Sequence, residues 1–366
     1  MSVVSTSRPV ASPHAHAGKT VAGTMMRVEL ALVPATLFAF WLYGWPSFLI
    51  WALTLLSCVG FEALCLRLKG DPRPSRALKD HSALLTGWLL ALTLPPWSPW
   101  WVPVMGGFLA IVIGKQVFGG LGQNVFNPAM VARVALLVSF PLPLTTWVLP
   151  GVQASLPAPG FTESLFIVLG VTSIPDAMAS ASPLGYAKTE LSRGIDLLHS
   201  LTSGHAPAAA AWHGIRTGSL GESSAGLLLA GGLYLLATRI IAWHIPLAVL
   251  AGLAIPAAIG HSVDPAHYLD PTSHILSGAA ILGAFFIATD YVTSPTTPLG
   301  KLLFGLGIGL LTWIIRTWGG YPEGMAFAVL FMNALTPMLD RAFKPRILGR
   351  QRNGKPLDVP AAPKEA

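Results

Sequence analysis

The chain has 366 residues, of which 53% are hydrophobic and only 11% are charged. Soluble domains carry roughly 25% charged residues. This composition therefore excludes an ordinary cytosolic enzyme, a disordered chain and a nucleic-acid-binding domain, despite a net charge of +7. Mean hydropathy is +0.61, and apolar runs of about 20 residues recur along the chain, as a polytopic helical membrane protein requires.

Residues 1–25 read as a mobile tail rich in Ser, Pro, Ala and His, without the apolar core of a signal peptide. The first spans are expected at 28–44 and 46–68, separated by Gly44-Trp45-Pro46. Cys58 and Cys65 lie in the second run and read as small packing residues. A basic loop, Arg67 to Lys79, follows. The third segment, His81 to Leu94, is short and ends at Pro95-Pro96, and the fourth runs from Trp101 to Phe118. A glycine-rich break at 119–122 precedes Asn127-Pro128 and a fifth span reaching about Leu149. Residues 150–224 form the longest hydrophilic connection, with Leu165 to Val171 too short to span. Spans resume at 225–242, 244–260, 273–289, 300–318 and 324–339, and a basic tail follows. About ten transmembrane helices, some of them broken, are expected.

With the N-terminus inside, 19 of the 23 Lys and Arg residues face inward. The positive-inside rule then puts both termini in the cytoplasm and residues 150–224 outside. Ser82 to Gly87 (Ser-Ala-Leu-Leu-Thr-Gly) matches Ser273 to Gly278 (Ser-His-Ile-Leu-Ser-Gly) at the head of the third and eighth segments. A five-helix offset reverses orientation, so the chain divides into inverted repeats at 26–149 and 225–340, flanked by the tails 1–25 and 341–366. Such a repeat also suits a urea- or ammonium-channel-like architecture, and hence a channel or transporter for a small polar solute.

Few ionisable groups lie in or near spans. Arg27 and Glu29 are expected at an interface, and Glu62 is expected to pair with Arg67. Lys115 and Arg133 flank the first break, and intramembrane charge calls for a partner or ligand unless it snorkels to the surface. A second break, Ala288 to Pro298, is dense in hydroxyls and carries Asp290, which suits a polar ligand or plain helix capping. The small residues around Ser182 are expected to leave its hydroxyl exposed. His199, His205 and His213 lack metal-ligand spacing. No phosphate-binding loop, dinucleotide fingerprint or paired-cysteine motif is present, so electron transfer here would need a bound organic cofactor.

Three motifs together resemble one family. They are His81 to Gly87 with Leu92-Thr93-Leu94-Pro95-Pro96, Lys115 to Met130 around Gly119-Gly120-Leu121-Gly122-Gln123-Asn124, and Ala288 to Pro295. The chain resembles, from about residue 25 to 345, the D subunits of Rnf electron-transport complexes, which are ion-translocating ferredoxin–NAD oxidoreductases. Those are related to the B subunits of sodium-pumping NADH–quinone reductases, which are the alternative assignment.

The resemblance implies a redox-driven translocase component of the bacterial inner membrane, inactive alone and coupled to Na⁺ or H⁺ movement. It implies partnership with the flavinylated G subunit, the A and E subunits in the membrane, and the soluble B and C subunits. It also implies covalent FMN, attached outside the membrane by a flavin transferase to a motif Asp-x-x-Ser-Gly-Ala-Thr. Here Asp176 and Ala181 match, Ser182 takes the acceptor place, and Ala179 and Ser180 depart. A second flavin, riboflavin or FMN, is implied near the inward breaks, with Lys115, Asn124, Asn127, Asp290 and Thr293 as candidates.

Overall fold

A computed structural model describes residues 20–70, 78–150, 159–173, 179–197, 212 and 217–344. The described chain is mostly helical. The first half contains α1 (Val21–Tyr43), α2 (Trp45–Leu68), α3 (Ser82–Thr93), α4 (Trp101–Phe108) and α5 (Pro128–Ser139). Helix α4 continues as a π-helix over Leu109–Gln116. The connection carries α6 (Pro141–Thr145), α7 (Phe161–Val168) and α8 (Pro183–Ser192). The second half contains α9 (Ala225–Ala237), α10 (His244–Val263), α11 (Pro271–Leu276), α12 (Ala280–Leu282), α13 (Pro298–Trp318) and α14 (Met325–Ala342). A π-helix, Gly283–Ile287, extends α12.

Among the described residues, four helices, α1, α2, α10 and α13, are long and apolar enough to cross a membrane. Their outward faces carry Leu37, Trp41, Leu56, Leu247, Ile255 and Leu310, all exposed. Water would penalise such a surface and lipid would not. Helices α3, α5 and α9 are apolar but shorter. The 12 residues of α3 rise only about 18 Å, well under a hydrocarbon core of roughly 30 Å.

Several boundaries move relative to the sequence reading. Helix α1 starts at Val21, capped by Thr20 Oγ1, so residues 21–25 are helical and not tail. The fifth helix stops at Ser139, where Pro141 withholds a donor and starts α6. The eighth segment is broken between α11 and α12, because Gly278 takes a left-handed conformation, φ 64°. The connection adds a small element of sheet to an otherwise helical chain: β1 (Trp147–Val148) pairs antiparallel with β2 (Ala179–Ser180).

The halves join where α1 packs on α9 and α5 on α14. Helices α10 and α13 approach most closely. A Cβ on Gly309 would collide with the Val249 carbonyl, and one on Gly252 with the Leu306 carbonyl. Small residues permit this backbone contact, as is usual between membrane helices.

Candidate functional site

Among the cavities lined by described residues, the two largest lie at opposite ends of the bundle. The first, about 320 Å³, sits between the start of α1, the start of α3, the end of the α4 π-helix and the two breaks. Its walls are largely apolar, including Leu85, Leu89, Phe285 and Phe286, and its polar lining includes Thr86, Lys115, Asn124, Asn127 and Asp290. Four of the five residues proposed for a second flavin thus converge from positions far apart in sequence. The fifth, Thr293, is buried behind them, where its Oγ1 donates to Asp290 Oδ2 at 3.1 Å.

Local chemistry explains the breaks. Gly119, Gly120 and Gly122 all take positive φ, at 122°, 104° and 86°. That lets the backbone turn sharply before α5. Asn127 caps α5, its Oδ1 accepting from Ala129 N–H at 3.1 Å and Met130 N–H at 3.3 Å. Its Nδ2 donates to the Ile287 carbonyl at 3.3 Å, fastening the first break to the second half. Asn124 Nδ2 donates to the Phe126 carbonyl at 3.1 Å. Asp290 Oδ1 accepts from Val292 N–H at 3.2 Å. These bonds are those of helix caps and turns, and Asn124, Asn127 and Asp290 also line the cavity.

Lys115 does not snorkel. It is 2% exposed, and its Nζ donates to Glu62 Oε1 at 2.9 Å and Ser82 Oγ at 2.7 Å. An ammonium has three N–H groups, so these two bonds leave one over, and Lys115 is part of the cavity lining. Glu62 pairs with Lys115 and not with Arg67. Burial explains the choice, since Glu62 is only 4% exposed and a buried carboxylate needs a buried cation. Glu29 is likewise buried within the protein, and its Oε2 lies 2.9 Å from His81 Nδ1. Arg133 is buried as well, and its Nη1 has no partner among the described residues.

The second cavity, about 350 Å³, is lined by Thr145, Trp147, Ser182, Lys188, Gly320 and Pro322 among others. It lies beyond the C-terminal end of α13, whereas Asp290 to Val292 of the first cavity precede the N-terminal end. The 21 residues of α13, rising roughly 30 Å, separate them.

Ser182 is not the freely exposed hydroxyl expected from its small neighbours. It is buried, and its Oγ caps α8 by accepting from Gly185 N–H at 3.2 Å. Pro183 at the first helical position fixes the entry. Thr217 Oγ1 donates to the Ala181 carbonyl at 2.7 Å and holds the preceding residue. Lys188 Nζ donates to the carbonyls of Ile315, Arg316 and Tyr321 at 3.1–3.3 Å. Burial pushes the Lys188 ammonium below its ordinary pKa. Asp176, His199, His205 and His213 lie outside the described residues.

Sequence reasoning missed several residues. Arg316 Nη1 donates to the His274 carbonyl at 2.5 Å, and its Nη2 donates to the Ser277 carbonyl at 3.0 Å and Glu323 Oε2 at 2.8 Å. Asn333 and Thr336 of α14 both donate to the Thr293 carbonyl. A single Asn inside an apolar run was the available signal for Asn333.

A model of the NQR2, RnfD, RnfE family matches residues 9–349. The chain is 50% identical to the D subunit of an ion-translocating oxidoreductase complex from Halorhodospira halophila, covering 96% of this chain and 98% of that one. The protein of the same name from Stutzerimonas stutzeri is 51% identical, covering 91% and 93% of the two chains. One from Cronobacter sakazakii is 42% identical, covering 94% and 99%. Taken with a helical membrane body and three family motifs that all abut the first cavity, these matches establish that the chain belongs to the NQR2, RnfD, RnfE family.

Proposed function

We propose that this chain is the flavin-carrying D subunit of an Rnf-type ion-translocating oxidoreductase complex, embedded in the membrane. The convergence of Lys115, Asn124, Asn127 and Asp290 on one cavity carries the reading. An isoalloxazine ring needs apolar plates and a few polar groups at its edge, and the first cavity offers both. FMN is joined through its phosphate to Ser182, which lines the second cavity. Asp176 and Ala181 belong to the motif that the flavin transferase recognises. Bound flavin supplies the one- and two-electron chemistry, and the chain's residues hold it, tune it by hydrogen bonds and exclude water.

The body is an inverted pair of five-helix repeats, 26–149 and 225–340, with ten spans. Two buried cations support the division. Lys115, in the last turn of its helix, bonds the side chain of Ser82, and Arg316, also in the last turn, bonds the carbonyls of His274 and Ser277. Ser82 and Ser273 head the two matching stretches. Each cation therefore pins the matching stretch of its own half.

Charge asymmetry favours cytoplasmic termini in the bacterial inner membrane and an outward 150–224 connection. Electrons pass between the flavins and the other subunits, the G subunit foremost, with the A and E subunits in the membrane and the B and C subunits in solution. Redox change biases a two-state membrane element that moves Na⁺ or H⁺.

Flavin fluorescence of the protein on a denaturing gel tests the covalent link. A fluorescent band lost in Ser182→Ala is the expected result. A band that persists in Ser182→Ala overturns the attachment site. A purified protein that is colourless overturns the flavin reading and leaves the solute-channel alternative.

A further inference from the structure

Lys115 ends a continuous line of hydrogen bonds that begins near the protein surface. Asp80, half-buried just before α3, accepts from Ser82 Oγ at 2.6 Å through its Oδ1. Ser82 Oγ accepts in turn from Lys115 Nζ at 2.7 Å. Ser82 and Lys115 are both buried, and both line the first cavity. Glu62 alone would neutralise Lys115. The link onward to Asp80 is not needed for that pairing, and it connects solvent, hydroxyl and buried ammonium without a gap.

We infer that Asp80, Ser82 and Lys115 form a proton-uptake relay between the surface and a redox ligand in this cavity. The inference rests on the reading that a flavin occupies the cavity. Lys115 supplies the proton. Its Nζ–H bond breaks with the electron pair left on Nζ, and a new N–H bond forms on the ligand ring. The electrons for that reduction come from a reduced flavin of another subunit, which is oxidised. The Ser82 hydroxyl turns from Asp80 toward the free lone pair on Lys115 Nζ, and Asp80 takes a replacement proton from water, leaving hydroxide in bulk solvent, and passes it to the Ser82 oxygen. Ser82 passes its own hydroxyl proton to the neutral amine of Lys115.

Glu62 makes recharging obligatory. Its Oε2 already has no partner among the described residues. Loss of the Lys115 charge leaves a buried, uncompensated carboxylate, which strongly favours the return of the proton. The other charged or titratable groups near this pair among the described residues are Cys58 and Cys65 on α2, Asp290 across the cavity, and the Glu29–His81 pair beside the start of α3. None of them bridges Lys115 to the surface by a hydrogen bond among the described residues.

The test uses the purified complex carrying Asp80→Asn, Ser82→Ala or Ser82→Thr. Flavin released by denaturation, beyond that retained covalently, is quantified first. Single-turnover flavin reduction is then followed optically across pH, in H₂O and D₂O. With flavin content unchanged, Asp80→Asn and Ser82→Ala should slow reduction by about tenfold or more and change its solvent isotope effect, the scale expected for loss of a positioned proton donor. Imidazole in the buffer should restore Asp80→Asn, and Ser82→Thr should behave as the parent. Normal rates and isotope effects in both slowed candidates overturn the relay and leave the flavin reading intact. Absence of non-covalent flavin from the parent complex overturns both. If Asp80→Asn does not assemble, the comparison of Ser82→Ala with Ser82→Thr decides alone.

Discussion

Asn127 and Asn333 meet across the two halves of the chain. The Asn127 N–H donates to Asn333 Oδ1 at 3.1 Å, and Asn333 Nδ2 donates to the Thr293 carbonyl at 3.1 Å. One amide therefore ties the first break to the second.

Asn333→Leu should break that tie. It leaves the Asn127 N–H and one bond of the Thr293 carbonyl unmet inside the protein, at a cost of about 1–3 kcal/mol for each group left unsatisfied. Thermal unfolding of the detergent-solubilised protein should report a lower Tm. An unchanged Tm would show that the breaks hold together without this side chain.

The Lys115–Glu62 pair predicts non-additive substitutions. Either Lys115→Met or Glu62→Gln alone leaves one buried charge or amide mismatched, and breaking such a pair costs about 3–5 kcal/mol. The double variant should recover much of that loss. A double-mutant cycle of unfolding free energies checks this, and simple additivity would refute the coupling.

Gly278 should not tolerate a side chain. Its φ of 64° is left-handed, and a Cβ there would overlap Glu323 Oε2 and crowd Arg316 Nη2. Gly278→Ala should therefore destabilise by more than the roughly 1 kcal/mol of a plain left-handed penalty. Expression level and Tm, compared with those of Gly70→Ala, which has open space at a similar φ of 70°, separate collision from backbone strain.

Acid should loosen the loop between α13 and α14. Burial alone would raise the Glu323 pKa, but the Arg316 guanidinium at 2.8 Å and the N–H groups of Met325 and Ala279 outweigh it, so the carboxyl sits below its ordinary value. A depressed acid stabilises the fold fully above its unfolded pKa, and that stabilisation is lost as pH falls through the folded value. The Tm difference between the parent and Glu323→Gln should thus be largest near neutrality and shrink as the pH falls below the ordinary Glu range. A difference independent of pH would remove the charge from the explanation.

The helix cap at Ser182 can be separated from the flavin attachment proposed for it. Ser182→Asn keeps a capping oxygen, since Asn caps about as well as Ser, whereas Ser182→Ala loses about 1 kcal/mol. Both should lose the fluorescent band. Equal Tm for the parent and Ser182→Asn, with a lower value for Ser182→Ala, would confirm the cap.

How much was legible in the sequence depended on range. The membrane class, the four long apolar helices and the two breaks were readable, because apolar runs, glycines and Pro caps act locally. The partners of Glu29 and Glu62 were not. Each had a basic residue nearby in sequence, but burial selected His81 and Lys115, which are 52 and 53 residues away. The Arg316–Glu323 clasp and the Asn333 tie depend on how helices meet, which no local pattern encodes. The exposure expected of Ser182 failed for a related reason: small neighbours make a hydroxyl reachable only if the backbone leaves it idle, and here the start of α8 uses it.

That use has a consequence for any chemistry at the Ser182 oxygen. The cap employs a lone pair of Oγ, as the acceptor from Gly185 N–H, and does not use the hydroxyl proton. Forming a phosphoester removes the proton and keeps the oxygen in place. The product would carry its negative charge at the amino end of α8, where the peptide dipoles favour an anion. Modification and helix capping at this residue are therefore compatible, and the folded loop need not unwind to keep the group it receives.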